Sequence, residues 1–290
     1  MLSIVEADAP SAYVAVLPAR TAVVSWNTNA PADTIEVVVH GIDGQRSAPL
    51  AYATFAPGRR SSLDGSDGFA RIATDVIAAT SDIVAVEVRA HHPLARVGVT
   101  TPAHAMPAGA PAFRGTLAVP PLSQYVPGEP GQRGWCAPAA VAMLLGAWGV
   151  ERSVADVAAA VHDTAYGGTG NWAFCMAYAG ALGFAATAAY VRDLGAIEAL
   201  LDAGIPVAAS IAWEAGALPG APLDASRGHL VVIRGFTREG DPLVNDPAAA
   251  DIATSYPRAA FERCWLGHGG MVLAIAPAAR LDRLAAAANA

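Results

Sequence analysis

The chain contains no lysine. All 18 of its basic residues are arginine, set against 25 acidic residues for a net charge of −7. An acidic chain without a run of cations has no electrostatic footprint for a nucleic-acid backbone. Cysteine is scarce too: Cys136, Cys175 and Cys264 are the three. An odd, sparse set is no disulfide framework and leaves at least one thiol free. Charged residues are only 15% against 54% hydrophobic, which excludes a disordered chain and allows a sizeable core. Long apolar runs are also missing. The longest nearly uncharged helical stretch, about 137–150, is shorter than the roughly 20 residues of a membrane span. The opening Met1-Leu-Ser-Ile-Val-Glu6 has neither a basic n-region nor a long apolar h-region. As given it reads as no secretory signal, so the cytoplasm is expected unless a signal was trimmed.

What is present divides in two. Segments 21–26, 34–39 and 82–89 are rich in β-branched residues, and turn clusters at 41–44 and 64–68 separate them. Residues 1–105 are therefore expected to form a small β-sandwich. The Pro/Ala-rich stretch at 106–112 lacks periodicity and reads as a linker. Afterwards the period changes. Helices are expected over 138–148, 154–161, 172–182 (capped by Asn171) and 194–201, the last ending at Gly204. Strand-like runs follow at 205–213, 230–236, 242–245 and 271–275. Helices first and strands later predict an α+β domain over 113–280, with an Ala-rich helical tail at 281–290.

The segment Gly131-Gln-Arg-Gly-Trp-Cys136-Ala-Pro138 places a cysteine directly before an apolar helix. Helix-start N–H groups and the helix dipole favour an anion there, which stabilises a thiolate and can receive an oxyanion. The bland alternative is an inert buried cysteine, the usual fate of a free thiol. His229 heads an apolar strand in Gly228-His-Leu-Val-Val232, where a strand fixes it and a preceding glycine leaves it open to a cleft. Alone it is equally a plain strand-edge histidine. Seventeen residues later the next strand ends in Asn245-Asp246-Pro247. Two adjacent strands joined by a short turn can bring a carboxylate beside the ring, to hold its tautomer and stabilise the imidazolium. Only one of Asn245 and Asp246 can point at the cleft, because strand side chains alternate.

Together these motifs resemble the C39-like peptidase family, a branch of the papain-like cysteine peptidases. The resemblance covers most of the chain after about Phe113, including Pro121-Leu-Ser-Gln124, Trp135-Cys136-Ala-Pro138, Gly168-Thr-Gly-Asn-Trp172, Gly204-Ile-Pro-Val207 and Val244-Asn-Asp-Pro247. It implies a papain-like domain behind the β-rich one, with Cys136 as nucleophile, His229 as base and Asp246 as orienting acid. Such enzymes also donate to the oxyanion from a glutamine before the cysteine. Gln124 stands 12 residues upstream and Gln132 four; the longer spacing leaves room for a loop to fold back. Trp135, Asn171 and Trp172 are the expected substrate contacts. The family usually has Gly or Ser after the nucleophile, and Ala137 departs from that. The implied partner is a peptide or protein substrate, with no cofactor or metal. A catalytically silent peptide-binding protein on the same fold, and a peptidyl or acyl transferase using the same thiol, are the alternatives.

Rival signals are weak. Gly168-Thr-Gly-Asn-Trp-Ala173 matches a dinucleotide pattern formally but follows a helix, so the βαβ context is missing. His91-His92 lacks further ligands at metal spacing and reads as an exposed turn. Asp64 and Asp67 lack the rest of a calcium loop. Cys175 and Cys264 sit inside expected helices and read as packing.

Overall fold

The computed structural model of the chain describes residues 1–102, 113, 115–129 and 132–290. They form two compact units: Met1–Pro102 with Ala159–Ala189, and Ala103–Ala158 with Tyr190–Ala290. The linker expected at 106–112 lies outside the described residues. The units do not follow a single cut, since 159–189, expected within the later domain, group with the first.

The first unit is built on β1 (Leu2–Asn27), β2 (Asp33–Gly41), β3 (Leu50–Ala56), β4 (Arg59–Ser62), β5 (Ala70–Ala73) and β6 (Val76–Thr100). They form one antiparallel sheet in the order β1-β6-β2-β3-β4, with β5 on β6. The short strands expected at 21–26 and 82–89 are parts of the very long β1 and β6. Irregular positions bend these strands without ending them: the β1–β6 register shifts repeatedly, and Asp8 has φ 44°. Thr100 pairs with both Leu2 and Val23, so the end of β6 lies between two limbs of β1. The sheet thus wraps a core in which Trp26 meets Tyr52 and Phe174 edge-on, each at 6.0 Å.

Further along come β7 (Gly115–Thr116), α1 (Cys136–Ala147), α2 (Val154–Val161), α3 (Trp172–Ala181), β8 (Phe184–Tyr190), α4 (Leu194–Asp202), β9 (Val207–Trp213), β10 (Ser226–Phe236), β11 (Pro242–Asn245), β12 (Ala253–Ser255), α5 (Arg258–Leu266), β13 (Met271–Pro277) and α6 (Leu281–Ala288). In the first unit Asn27 extends backbone-like pairing through its side chain. Its Nδ2 donates to Ala186 O at 3.0 Å and its Oδ1 accepts from Ala186 N at 3.2 Å. Gly180 allows α3 to lie against that amide, since a Cβ would stand 2.5 Å from Asn27 Nδ2.

In the second unit an antiparallel sheet runs β12-β11-β10-β9-β13, with β7 paired to β10. The α1 helix, buried throughout 137–145, packs on β10, β9 and β13. An apolar helix without a polar face must lie in the middle of its unit. The Ala-rich tail is helical as α6, with Leu284, Ala287 and Ala288 buried, and it packs against α4. His91 and His92 correct the expected turn: they lie within the bent β6, each with Nδ1 at 2.9 Å from Asp33, whose carboxylate also accepts both their backbone N–H groups. Asp67 accepts the backbone N–H groups of Phe69 and Ala70 in its own turn, and Asp64 accepts that of Thr74, beyond β5.

The contact of β7 with β10 depends on one glycine. A Cβ at Gly235 would sit 2.2 Å from Gly115 O and 2.8 Å from Thr116 Cα, both backbone atoms that cannot step aside cheaply. Gly235→Val is therefore expected to expel β7 and cost about 1–3 kcal/mol of stability. Hydrogen exchange at the Leu117 amide, which bonds Arg234 O at 2.7 Å, should accelerate in the variant. Unchanged protection there would contradict the packing argument.

Candidate active site

Cys136 is the first residue of α1. Trp135, at the cap position, contributes no side-chain cap, so the helix-start N–H groups stay available to an anion. The backbone N–H groups of Ala137 and Leu230 favour the ionised form of the Cys136 sulfur. Cys136 as a residue is half-buried, whereas Cys175 and Cys264 are buried.

His229 is placed by β10, where it pairs with Ile211 of β9. Its Nε2 lies 2.7 Å from Asp246 Oδ1, and the ring and the Cys136 thiol shift one another's ionisation. The register explains why Asp246 is the partner. Val232 faces Asn245 across β10 and β11, so Asn245 shares a sheet face with Val232. Residue 229 lies three positions from 232, on the opposite face, which it shares with Asp246. Asn245 accordingly points elsewhere, its Nδ2 donating to Val119 O at 3.2 Å.

Asp246 has no exposed surface. A buried carboxylate must be met by donors, and three arrive: His229, the Ala248 N–H on Oδ1 at 2.9 Å and the Tyr256 hydroxyl on Oδ2 at 2.6 Å. Trp213 packs edge-on to the His229 ring at 5.8 Å and is itself nearly buried. His229, Asp246 and Tyr256 are each at most 3% exposed. Cys136 is less buried than these three residues.

Burial by itself would push the Cys136 thiol up. The bond and charge of His229, with the N–H groups of Leu230 and Ala137, bring it below the ordinary thiol value. Burial would also push the imidazole down, but the bonds and charges of Asp246 and Cys136 hold it well above an ordinary histidine. Both directions favour a thiolate beside an imidazolium. Burial opposes the charge on Asp246 as well, yet its bond to His229, the imidazolium charge and the Tyr256 and Ala248 donors keep the carboxyl below its usual range. Such a set can deliver a nucleophilic sulfur and return a proton to a leaving group.

Gln124 is buried, and its Nε2 donates to Arg133 O at 2.9 Å and Gln132 O at 3.3 Å, both in the turn leading into Cys136. Its backbone N–H bonds Pro247 O at 2.9 Å, next to Asp246. Asn171 and Trp172 belong to the first unit. The Asn171 side chain is buried, accepting from Phe174 N and donating to Asp163, and the Trp172 N–H donates to Asp75. The Asn171 amide is thus committed to capping α3 and to Asp163. Sequence reasoning missed Tyr256 and Trp213. Tyr256 lies ten residues past Asp246, beyond a turn and a short strand, and no local pattern marks it. Among the described residues no group of three or more His, Cys, Asp or Glu is placed to hold a metal ion.

The model of the Peptidase_C39 like family matches residues 116–272, more than half of the chain. The chain belongs to the Peptidase_C39 like family. The match takes in Gln124, Cys136, His229, Asp246 and Tyr256. Among solved structures the chain is similar to the peptidase domain of Streptococcus ComA, a bi-functional ABC transporter involved in a quorum sensing pathway. Identity is 18% and the TM-score 0.41, covering 54% of this chain and 97% of that one. A Bacillus anthracis protein described as C39-like peptidase gives 18% and 0.41, over 55% and 94%. A double glycine motif protease from an AMS/PCAT transporter, in complex with a leader peptide, gives 19% and 0.40, over 58% and 97%. No curated protein matches the chain. For this member of the C39-like family, the site's residues rest on its own geometry.

The pH behaviour follows from the directions above. The Cys136 thiolate should form below the ordinary thiol pKa of about 8.5, whereas Cys264, pushed up by burial, should ionise above it. Alkylation rates at each cysteine across pH, resolved by mass mapping, measure both. Cys136 titrating at or above the ordinary value would remove the thiolate–imidazolium pair.

Proposed function

We propose that this chain is a cysteine peptidase that cleaves a peptide or amide bond through a Cys136–His229–Asp246 triad. The observation that carries the reading is the 2.7 Å bond between a buried imidazole and a fully buried carboxylate, beside a helix-start thiol that His229 draws below its ordinary pKa. The Cys136 thiolate attacks the substrate carbonyl, and the carbonyl's electron pair moves onto its oxygen. His229 then gives its proton to the departing amine as the tetrahedral species collapses to a thioester. Water, deprotonated by the now neutral His229, attacks the thioester and releases the acid and the thiol. Asp246 holds the ring in the tautomer that presents Nδ1 to the sulfur and stabilises the imidazolium.

Gln124 is the oxyanion donor in this proposal. Its Nε2 carries two hydrogens, and the longer of its two bonds, to Gln132 O at 3.3 Å, is the one that gives way to the substrate oxygen. Preorganised donors of this kind contribute roughly 10²–10³ in turnover. Trp135, directly before the nucleophile, flanks the entry to the thiol and contacts the substrate.

Two experiments test the reading. Iodoacetamide at neutral pH should label Cys136 in the native state well ahead of Cys175 and Cys264, and equal labelling would remove the activated nucleophile. With a peptide-library or casein substrate, Cys136→Ala should abolish turnover. Asp246→Asn should lower it by roughly 10- to 10⁴-fold while keeping the fold, and Asn245→Ala should cost far less. A selectively reactive Cys136 that turns over no peptide would favour a silent peptide-binding role.

A further inference from the structure

Tyr256 directly follows β12 and precedes Pro257, which caps α5. Both sides of the residue are fixed. Ser255 pairs with Leu243 of β11, the Tyr256 N–H bonds Pro242 O at 3.3 Å, and the ring lies nearly parallel to Phe261 at 6.3 Å. With 1% exposure, this side chain delivers its hydroxyl to Asp246 Oδ2 at 2.6 Å. The other oxygen, Oδ1, faces His229 and the Ala248 N–H. The two carboxylate oxygens therefore have separate duties, and the phenol secures the one that the ring does not use.

Building on the Cys–His–Asp reading above, we propose that Tyr256 is the positioning residue for the triad acid: its hydroxyl fixes the plane of the Asp246 carboxylate and keeps it ionised beside His229. The carboxylate can turn about its Cβ–Cγ bond, and a donor on Oδ2 holds that rotation so that Oδ1 stays in line with Nε2. The same donor lowers the proton affinity of the carboxylate, so the shared proton remains on the imidazole, where the thiolate requires it. Burial and the adjacent carboxylate raise the phenol's own pKa far above neutrality, so Tyr256 stays a neutral donor. A phenylalanine would keep the ring and its contact with Phe261. The hydroxyl alone carries the role.

The test uses the full chain as wild type, Tyr256→Phe, Asp246→Asn and the double variant. Cys136 alkylation by iodoacetamide is followed against pH. Loss of the hydroxyl should move the acid limb up by roughly one pH unit and slow the neutral-pH reaction about 3- to 30-fold. In the Asp246→Asn background the same change should add less than about twofold, because residues acting as one unit are not additive. An unmoved acid limb, or an effect of full size on that background, overturns the proposal. A second readout does not depend on the thiol. In Cys136→Ala, the His229 ring proton followed by NMR should titrate at higher pH once Tyr256→Phe strips a donor from the carboxylate, and an unchanged titration overturns the positioning role. If wild-type Cys136 proves unreactive while this NMR shift appears, the peptidase reading fails and the positioning stands. Should Tyr256→Phe not fold, the wild-type spectrum decides: a low-field Tyr256 hydroxyl proton is expected, lost in Asp246→Asn, and its absence overturns the proposal.

Discussion

A charge with no access to water has to be satisfied by the protein, and the second unit is arranged around one such charge. Asp246 has no exposed surface, and leaving a carboxylate of that kind unpaired would cost several kcal/mol. Its donors come from three places: the head of β10, the turn after β11 and the residue after β12. Meeting that requirement fixes the register of three strands at once. Slipping β11 against β10 by one residue would turn Asp246 to the other face and present Asn245 to His229. The demand for hydrogen bonds at one buried group thus specifies the sheet as strongly as its apolar contacts do.

The helix supplies the other half of the site. An apolar α1 can lie only in the interior, and its first residue then emerges where the sheet presents His229. The turn before it is held by Gln124, whose amide bonds two of that turn's carbonyls while its own backbone N–H bonds Pro247. A single buried residue therefore links the approach to the thiol with the segment that carries the acid. The structural work of Gln124 and its proposed contact with an oxyanion draw on the same two N–H hydrogens.

Much of this was legible in the sequence because it is local. Helix α1 announces itself by an unbroken apolar run after Cys136, α3 by the cap at Asn171, and α4 by the stop at Gly204, which has φ 76°. The short turn at 238–241 makes β10 and β11 neighbours, so the meeting of residues 229 and 246 could be argued from spacing. What could not be read is non-local. The bends that join separate-looking strands into β1 and β6 arise from pairing along nearly their whole length, which no window of sequence reports. The small Ala-rich strand β8 has no β-branched signal beyond Thr187 and is buried throughout. Tyr256 and Trp213 become partners of Asp246 and His229 through strand pairing alone. Asn171 and Trp172 fell on a family-like motif, yet the Asn171 amide is taken up by Phe174 and Asp163, and the Trp172 backbone N–H by Asp75.

Cys136 and Cys264 show how one chain can move the same side chain's pKa in opposite directions. Cys175 donates toward Thr169 O and Cys264 toward Ala217 O, each at 3.8 Å. At Cys264 burial raises the thiol above its ordinary value. Cys136 has the reverse polarity. The N–H groups of Ala137 and Leu230 and the charge of His229 favour its ionised form. Burial alone does not separate Cys136 from Cys264, because it raises the thiol at both. The direction of the hydrogen bonds decides, and that direction is set by position. The first residue of a helix meets unpaired N–H groups, whereas a residue further along finds them spent on the helix itself.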